Sequence, residues 1–153
     1  MPLLGREKVT HELKVGIKER VNTNLKGVYL AGLQNIIQET PADKGRARNN
    51  WFLTVGVPSN KTTTSASIGG GGSLSQSAKL PQSVLGKKIY FTNNLSYIGV
   101  LEYGGFPSPV DKGSYIKKSK SYQILSAGGF SKQAPNGWVR KTLILMQNKI
   151  RSL

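Results

Sequence analysis

Cysteine is absent from the 153 residues, and histidine occurs only once. The lack of thiols excludes disulfides within the chain, thiolate nucleophiles and every zinc site that uses cysteine. The single histidine, His11, has no second histidine with which to share a metal ion or a catalytic dyad, and we interpret it as a surface residue of a helix. The chain is therefore expected to fold by packing alone, with no metal and no cofactor.

Acidic residues are also scarce. There are 7 aspartates and glutamates against 22 lysines and arginines, which gives a formal net charge of +15. So few carboxylates disfavour an enzyme that works with a carboxylate pair, and we predict no catalytic residues. No acid occurs in residues 44–101 or 112–153. Such an excess attracts anionic partners, nucleic acid first and an acidic protein surface second; the alternative is that the charge only keeps the protein soluble.

Long hydrophobic runs are missing, and none approaches the ~20 residues that a membrane-spanning helix needs. The first residues run directly into charged side chains, a pattern that is not typical of a secretory signal. We therefore expect no membrane association. The length fits one domain over residues 1–153.

Helical periodicity is strongest at the two ends of the chain. Residues 8–39 carry an apolar stripe and predict a long helix that stops before Pro41. A break in this helix near Thr23 remains open as an alternative. Residues 137–152 predict a second amphipathic helix, capped by Asn136. The apolar side of this second helix is expected to consist of Val139, Leu143, Met146 and Ile150.

Between these helices, segments rich in aromatic and β-branched residues predict strands over residues 51–57 and 88–92. Residues 95–105 fit a short helix or a strand, and we favour the helix, with Asn94 or Ser96 as its cap. The order of elements predicts an α+β fold: a small, mostly antiparallel sheet packed against the long N-terminal and C-terminal helices.

Two long loops, residues 58–87 and 106–135, are expected to be mobile. Half of the first loop is serine, threonine or glycine, which leaves too little apolar surface to offset the entropy of ordering. Within it we expect at most a strand at residues 65–68 and a short helix near residues 76–80. The second loop carries a basic run that we predict to contact DNA or an acidic partner, with a solvated loop as the alternative. The run consists of Lys117, Lys118 and Lys120.

Two acids outside the first helix attract interest. Glu102 stands in an apolar run, and a partly buried carboxylate needs a cation or an N–H group as its partner. We predict that Glu102 pairs with Arg46 or Arg48; an exposed glutamate on a short helix is the alternative. Asp43 is interpreted as the cap of a helical turn over residues 45–49.

Three segments share a pattern: Thr40–Trp51 contains T-P-x-D-x-G followed by tryptophan, Thr92–Gly104 contains N-N-x-x-Y-x-x-x-L-E-Y-G, and Ser131–Arg140 leads into the last helix. In this order they resemble the tail-completion, or neck, proteins of tailed bacteriophages, a family of head–tail connector components. The chain departs from the family at Ser96, where proline is frequent. The residues that match the family pattern, or lie inside its first segment, are Asp43, Gly45, Arg46, Trp51, Asn94, Tyr97, Glu102, Tyr103 and Gly104.

The resemblance implies a non-enzymatic virion protein. Family members form a ring, commonly six-fold, in the neck, between the portal–adaptor complex and the tail terminator or tail tube protein. The matched residues would shape the subunit and its contact in the ring, and the basic residues would face DNA in the channel or an acidic adaptor. From the charge alone, the alternative is a basic nucleic-acid-binding module.

Overall fold

A computed structural model describes residues 3–103, 114–116, 120–123, 134 and 136–153 of the chain. The first helix, α1 (Leu3–Glu39), is continuous, so the alternative of a break near Thr23 is wrong. It ends directly before Thr40, the residue that Pro41 biases away from helical angles. The last helix, α4 (Val139–Arg151), confirms the predicted C-terminal helix.

The elements between α1 and α4 are short, and they confirm the α+β fold. The strands β1 (Phe52–Val55) and β2 (Ile89–Thr92) pair antiparallel, with Leu53 opposite Phe91. The short helices are α2 (Gly71–Leu74) and α3 (Ile98–Tyr103). The sequence did not predict the antiparallel hairpin of β3 (Ser114–Ile116) and β4 (Ser121–Gln123).

The core lies where the C-terminal part of α1 meets β1 and the start of α4. Its buried residues are Leu33, Ile36, Ile37, Trp51, Leu53, Ala134 and Trp138. The other end of α1 is different, because every residue from Gly5 to Val21 is exposed. A helix of 37 residues is about 55 Å long at 1.5 Å per residue, so the N-terminal half of α1 projects beyond the core.

The side of α4 that faces the body matches the predicted apolar side only in part: Val139 packs against the core and Met146 lies against Gly32. Leu143 and Ile150 are exposed, whereas Thr142 is buried and accepts a hydrogen bond of 2.6 Å from the side-chain N–H of Asn35. Close packing against α1 decides this orientation, because the missing side chain of Gly32 leaves room for Met146. Asn136 is not the cap either: Trp138 takes the N-cap position and gives no side-chain cap.

Two further local predictions are wrong. Residues 65–68 form no strand. Their backbone groups instead form hydrogen bonds with the Asn49 side chain, the Gly45 carbonyl and the Arg48 guanidinium. Asp43 is exposed and caps nothing; the short 3-10 turn Arg48–Asn50 has Ala47 at its N-cap and no side-chain cap. The short helix expected near residues 76–80 is present as a 3-10 helix, Ser75–Lys79.

Candidate interaction surfaces

The first two family-like segments meet at one depression of about 290 Å³. Asp43, Gly45 and Arg46 line one side, and Tyr97 of the second segment lies across from them. Asp43 and Arg46 are exposed, and the Tyr97 side chain is 39% exposed. Polar, charged and aromatic groups are therefore available to a partner at this place, which we call the motif depression.

Trp51 belongs to the core rather than to a surface. Its indole N–H donates to the hydroxyl oxygen of Thr40 at 2.8 Å, and its backbone N–H donates to the hydroxyl oxygen of Ser73 at 2.8 Å. Thr40 in turn donates to the carbonyl oxygen of Ile36 at 2.6 Å. These buried hydrogen bonds fix the turn between the end of α1 and the start of β1, so the role of Trp51 is structural.

Gly45 is required by the backbone. Its φ is +81°, a conformation that residues with a Cβ adopt at a cost. Its carbonyl oxygen accepts hydrogen bonds from the N–H groups of Asn49 (3.0 Å) and Ser67 (3.3 Å). A Cβ at this position would collide with the backbone of Ser67. Glycine therefore allows residues near 67 to pack directly on the turn.

Two buried asparagines attach the segment 58–87 to the body. Asn50 donates to the carbonyl of Thr63 at 3.0 Å and accepts from the N–H of the same residue at 2.7 Å. Asn49 accepts from the N–H of Gly72 at 2.8 Å. Sequence reasoning missed both. One signal in the sequence could have revealed them: two adjacent asparagines precede a strand and a long polar segment. The backbone groups of that segment need hydrogen-bond partners.

Asn94 serves the same segment from the other side. Its side-chain N–H groups donate to the carbonyl oxygens of Ser59 and Lys61, both at 2.9 Å. It is therefore a tether for the segment, and not the cap of α3. The Arg48 guanidinium adds further bonds, to the carbonyls of Thr40 (2.9 and 3.1 Å) and Ile68 (2.7 Å).

Glu102 is buried, with 4% of its surface exposed, and it caps α4. Its two oxygens accept hydrogen bonds from the backbone N–H groups of Trp138 (2.8 Å), Val139 (3.0 Å) and Arg140 (3.1 Å). The Arg140 side chain adds an ion pair at 3.3 Å. The first N–H groups of a helix lack partners inside the helix, and they attract negative charge. The carboxylate thus joins the second and third family-like segments.

The predicted partner of Glu102 is therefore wrong: neither Arg46 nor Arg48 reaches it, because both bind carbonyls of the segment 58–87 and its surroundings. Arg140 takes that place and also lies over the ring of Tyr103, 4.9 Å from the ring centre. Tyr103 is 60% exposed. The Arg140–Tyr103 pair forms a second polar and aromatic patch on the surface.

The basic run is only partly described. Lys120 is exposed in the turn between β3 and β4, with a φ of +48°. Lys117, Lys118 and Gly104 lie outside the described residues. In the described ranges, no three histidine, aspartate or glutamate side chains come together as metal ligands. Nor does any described helix combine the length and apolarity needed to cross a lipid bilayer.

Four apolar residues follow one another along the projecting half of α1. They are spaced four residues apart and are 55%, 59%, 62% and 37% exposed. A groove of about 580 Å³ runs beside them. Single exposed apolar residues are common on protein surfaces, but a contiguous row is a mark of an interaction site. We call this row the α1 stripe: Val9, Leu13, Ile17 and Val21.

Comparison with known proteins yields no assignment: no family model, curated protein or solved structure matches the chain. The features that bear on function are therefore those of the chain itself. They are the motif depression, the Glu102 cap with its neighbouring patch, and the α1 stripe.

Proposed function

We propose that this protein is a structural subunit of the neck of a tailed bacteriophage. In this role it belongs to the virion, forms part of a ring, and joins the portal–adaptor complex to the tail terminator or tail tube protein. One observation carries the proposal: three short segments, separated along the chain, meet in space. Tyr97 faces the turn that contains Asp43, and Glu102 binds the start of α4.

The matched residues that the structure describes fall into two groups, as expected for a subunit that must first fold and then bind its neighbours. Gly45, Trp51, Asn94 and Glu102 hold the backbone in place through the contacts described above. Asp43, Arg46, Tyr97 and Tyr103 are exposed. We assign the ring contact to the exposed group, which combines charges of both signs with two aromatic rings and so suits a specific protein interface.

Cryo-electron microscopy of the neck in particles of the virus that encodes this chain tests the proposal. The expected result is density for α1 and the two-stranded sheet, repeated around the axis between the portal–adaptor complex and the tail. Mass spectrometry of the same particles provides the control for composition. Particles with complete necks that lack this chain would overturn the proposal.

The net charge of +15 favours a second candidate, a basic nucleic-acid-binding module. Such a module binds duplex DNA as a purified protein, with an affinity that falls steeply between low and physiological salt. Fluorescence anisotropy with a labelled duplex at two salt concentrations measures this. In a neck subunit, reversing the charges of Lys117, Lys118 and Lys120 instead impairs particle assembly or DNA retention.

A further inference from the structure

The side of α1 that carries part of the stripe is covered near the core and open at its far end. Ile17 and Asn35 are 18 residues apart, which is about five full helical turns, so they lie on the same side of the helix. At Asn35 this side is covered by α4, through the hydrogen bond to Thr142. Near Ile17, Leu153 is the one described residue outside α1 that lines the groove.

A second row of residues borders the stripe and forms the other wall of the groove. It consists, at intervals of four, of Glu12, Gly16, Arg20 and Asn24, and Lys8 extends it by one turn. The acid Glu12 thus lies four residues before Gly16, and the base Arg20 lies four residues after it. Neither forms an ion pair within the described part of the chain, where Glu102 and Arg140 form the one ion pair.

Gly16 itself has no packing role among the described residues, because none of their atoms lies within 4 Å of where a Cβ would be. Glycine in an exposed helix is unfavourable compared with alanine. At a crossing point between two helices, however, the missing side chain allows a close approach. The i±4 rows of two helices interdigitate when the helices cross at about −50°.

We propose that the projecting half of α1 is a self-association site, on which a second copy of this chain packs its own α1 antiparallel, with the two-fold axis beside Gly16. Reversing one helix about Gly16 brings Glu12 of each copy opposite Arg20 of the other. The same operation brings Lys8 opposite Asn24. The row is therefore complementary to itself, and the stripes of both copies become buried beside it. This isologous dimer is a state of the free protein.

Other occupants fit this surface less well. A helix that lies on an anionic membrane carries a mainly basic polar face, whereas the projecting half of α1 intersperses three acids, Glu7, Glu12 and Glu19, among its five lysines and arginines. A uniformly acidic partner, such as DNA, would meet the same carboxylates. A parallel second copy would place Glu12 against Glu12 and Arg20 against Arg20.

Sedimentation velocity of the full chain at concentrations from about 1 to about 100 µM measures the association. The expected result is a reversible monomer–dimer equilibrium. Gly16→Leu is expected to weaken the dimer by about tenfold or more, since a large side chain then occupies the crossing point. Gly27→Leu is the matched control, because that glycine is also helical and open but lies away from the crossing point. A wild-type chain that stays monomeric overturns the proposal, whether or not it binds DNA or lipid vesicles.

Charge exchange supplies a second and sharper test. The E12R and R20E variants each place like charges opposite one another, so each alone is expected to be monomeric. Mixed in equal amounts, the two variants restore both ion pairs and are expected to form the heterodimer, as the E12R/R20E double variant forms its homodimer. Single variants that dimerise like the wild type would contradict the assigned register.

The dimer and the proposed neck function are independent. A cyclic ring repeats a head-to-tail contact, whereas this dimer is isologous, and the two use different surfaces. A neck ring found in particles together with a monomeric free chain would remove the dimer and leave the function. If the free chain forms the dimer with the expected charge behaviour but is absent from particles, the dimer stands and the neck function is overturned.

Discussion

The Glu102 carboxylate shows how much of this fold depends on single side chains. Its two oxygens satisfy the N–H groups of Trp138, Val139 and Arg140 at the start of α4, which has no cap of its own. The contact spans 36 residues of sequence between Glu102 and Trp138. One buried acid therefore caps the C-terminal helix and ties its start to α3.

Replacing Glu102 by glutamine is expected to lower the free energy of unfolding by about 2 kcal/mol, because hydrogen bonds to a charged acceptor are lost and an amide donor faces backbone donors. Urea denaturation followed by circular dichroism measures the change. Glu19→Gln, on the exposed face of α1, is the control and should leave stability unchanged. Equal stability of the Glu102 variant and the wild type would contradict the capping role.

Comparing Gly45 with Gly56 separates two reasons for a glycine: a positive φ, and a lack of space for a Cβ. Both have positive φ, +81° and +88°, but only at Gly45 would a Cβ meet other atoms. Gly56→Ala is therefore expected to cost about 1–2 kcal/mol, the penalty of the left-handed conformation alone. Gly45→Ala should cost clearly more, since the backbone at Ser67 must also move. Thermal unfolding of both variants measures the difference; equal losses would show that the close approach does not matter.

At the scale of elements, the segment 58–87 is attached by side chains more than by regular secondary structure. Asn50, Asn49 and Asn94 bind backbone groups along it. Amides suit this task because one side chain both donates and accepts. The segment thus follows the surface of the body although its composition is typical of a free loop.

Asn50→Ala is expected to release the stretch around Thr63, because three hydrogen bonds of the amide are lost together. Cleavage by trypsin after Lys61 should become about tenfold faster, as local opening becomes easier. The exposed neighbour Asn60 provides the control variant Asn60→Ala. Unchanged cleavage in the Asn50 variant would mean that other contacts hold this stretch.

At the scale of the whole molecule, α1 has two parts with different tasks. The C-terminal part supplies Leu33, Ile36 and Ile37 to the core. Among the described residues, the first hydrogen bond between α1 and the body is formed by Asn22, whose side chain accepts from the N–H of Val84 at 2.7 Å. Before that residue, the stripe and its groove are exposed.

Deleting residues 1–17 is therefore expected to preserve the fold. The free energy of unfolding should change by less than about 1 kcal/mol, because exposed residues contribute little. The measurement is urea denaturation at a concentration where the intact chain is monomeric, since association would add stability. Deleting residues 1–29, which removes Asn22 and the buried Val28, is the contrasting variant and should unfold the protein. A large loss from the shorter deletion would contradict this division of α1.

What the sequence determined by itself was local. The periodicity of residues 8–39 and 137–152, the β-branched strands and the proline stop predicted the helices, the two-stranded sheet and the α+β class, because spacing and backbone preference act over a few neighbouring residues. Only the tertiary structure decided the partner of Glu102, the side of α4 that is buried, the attachment of residues 58–87 and the exposure of the α1 stripe. Each of these depends on contacts between residues that are distant in sequence. There, the geometry of packing and the need of buried polar groups for partners select among the many pairings that composition allows.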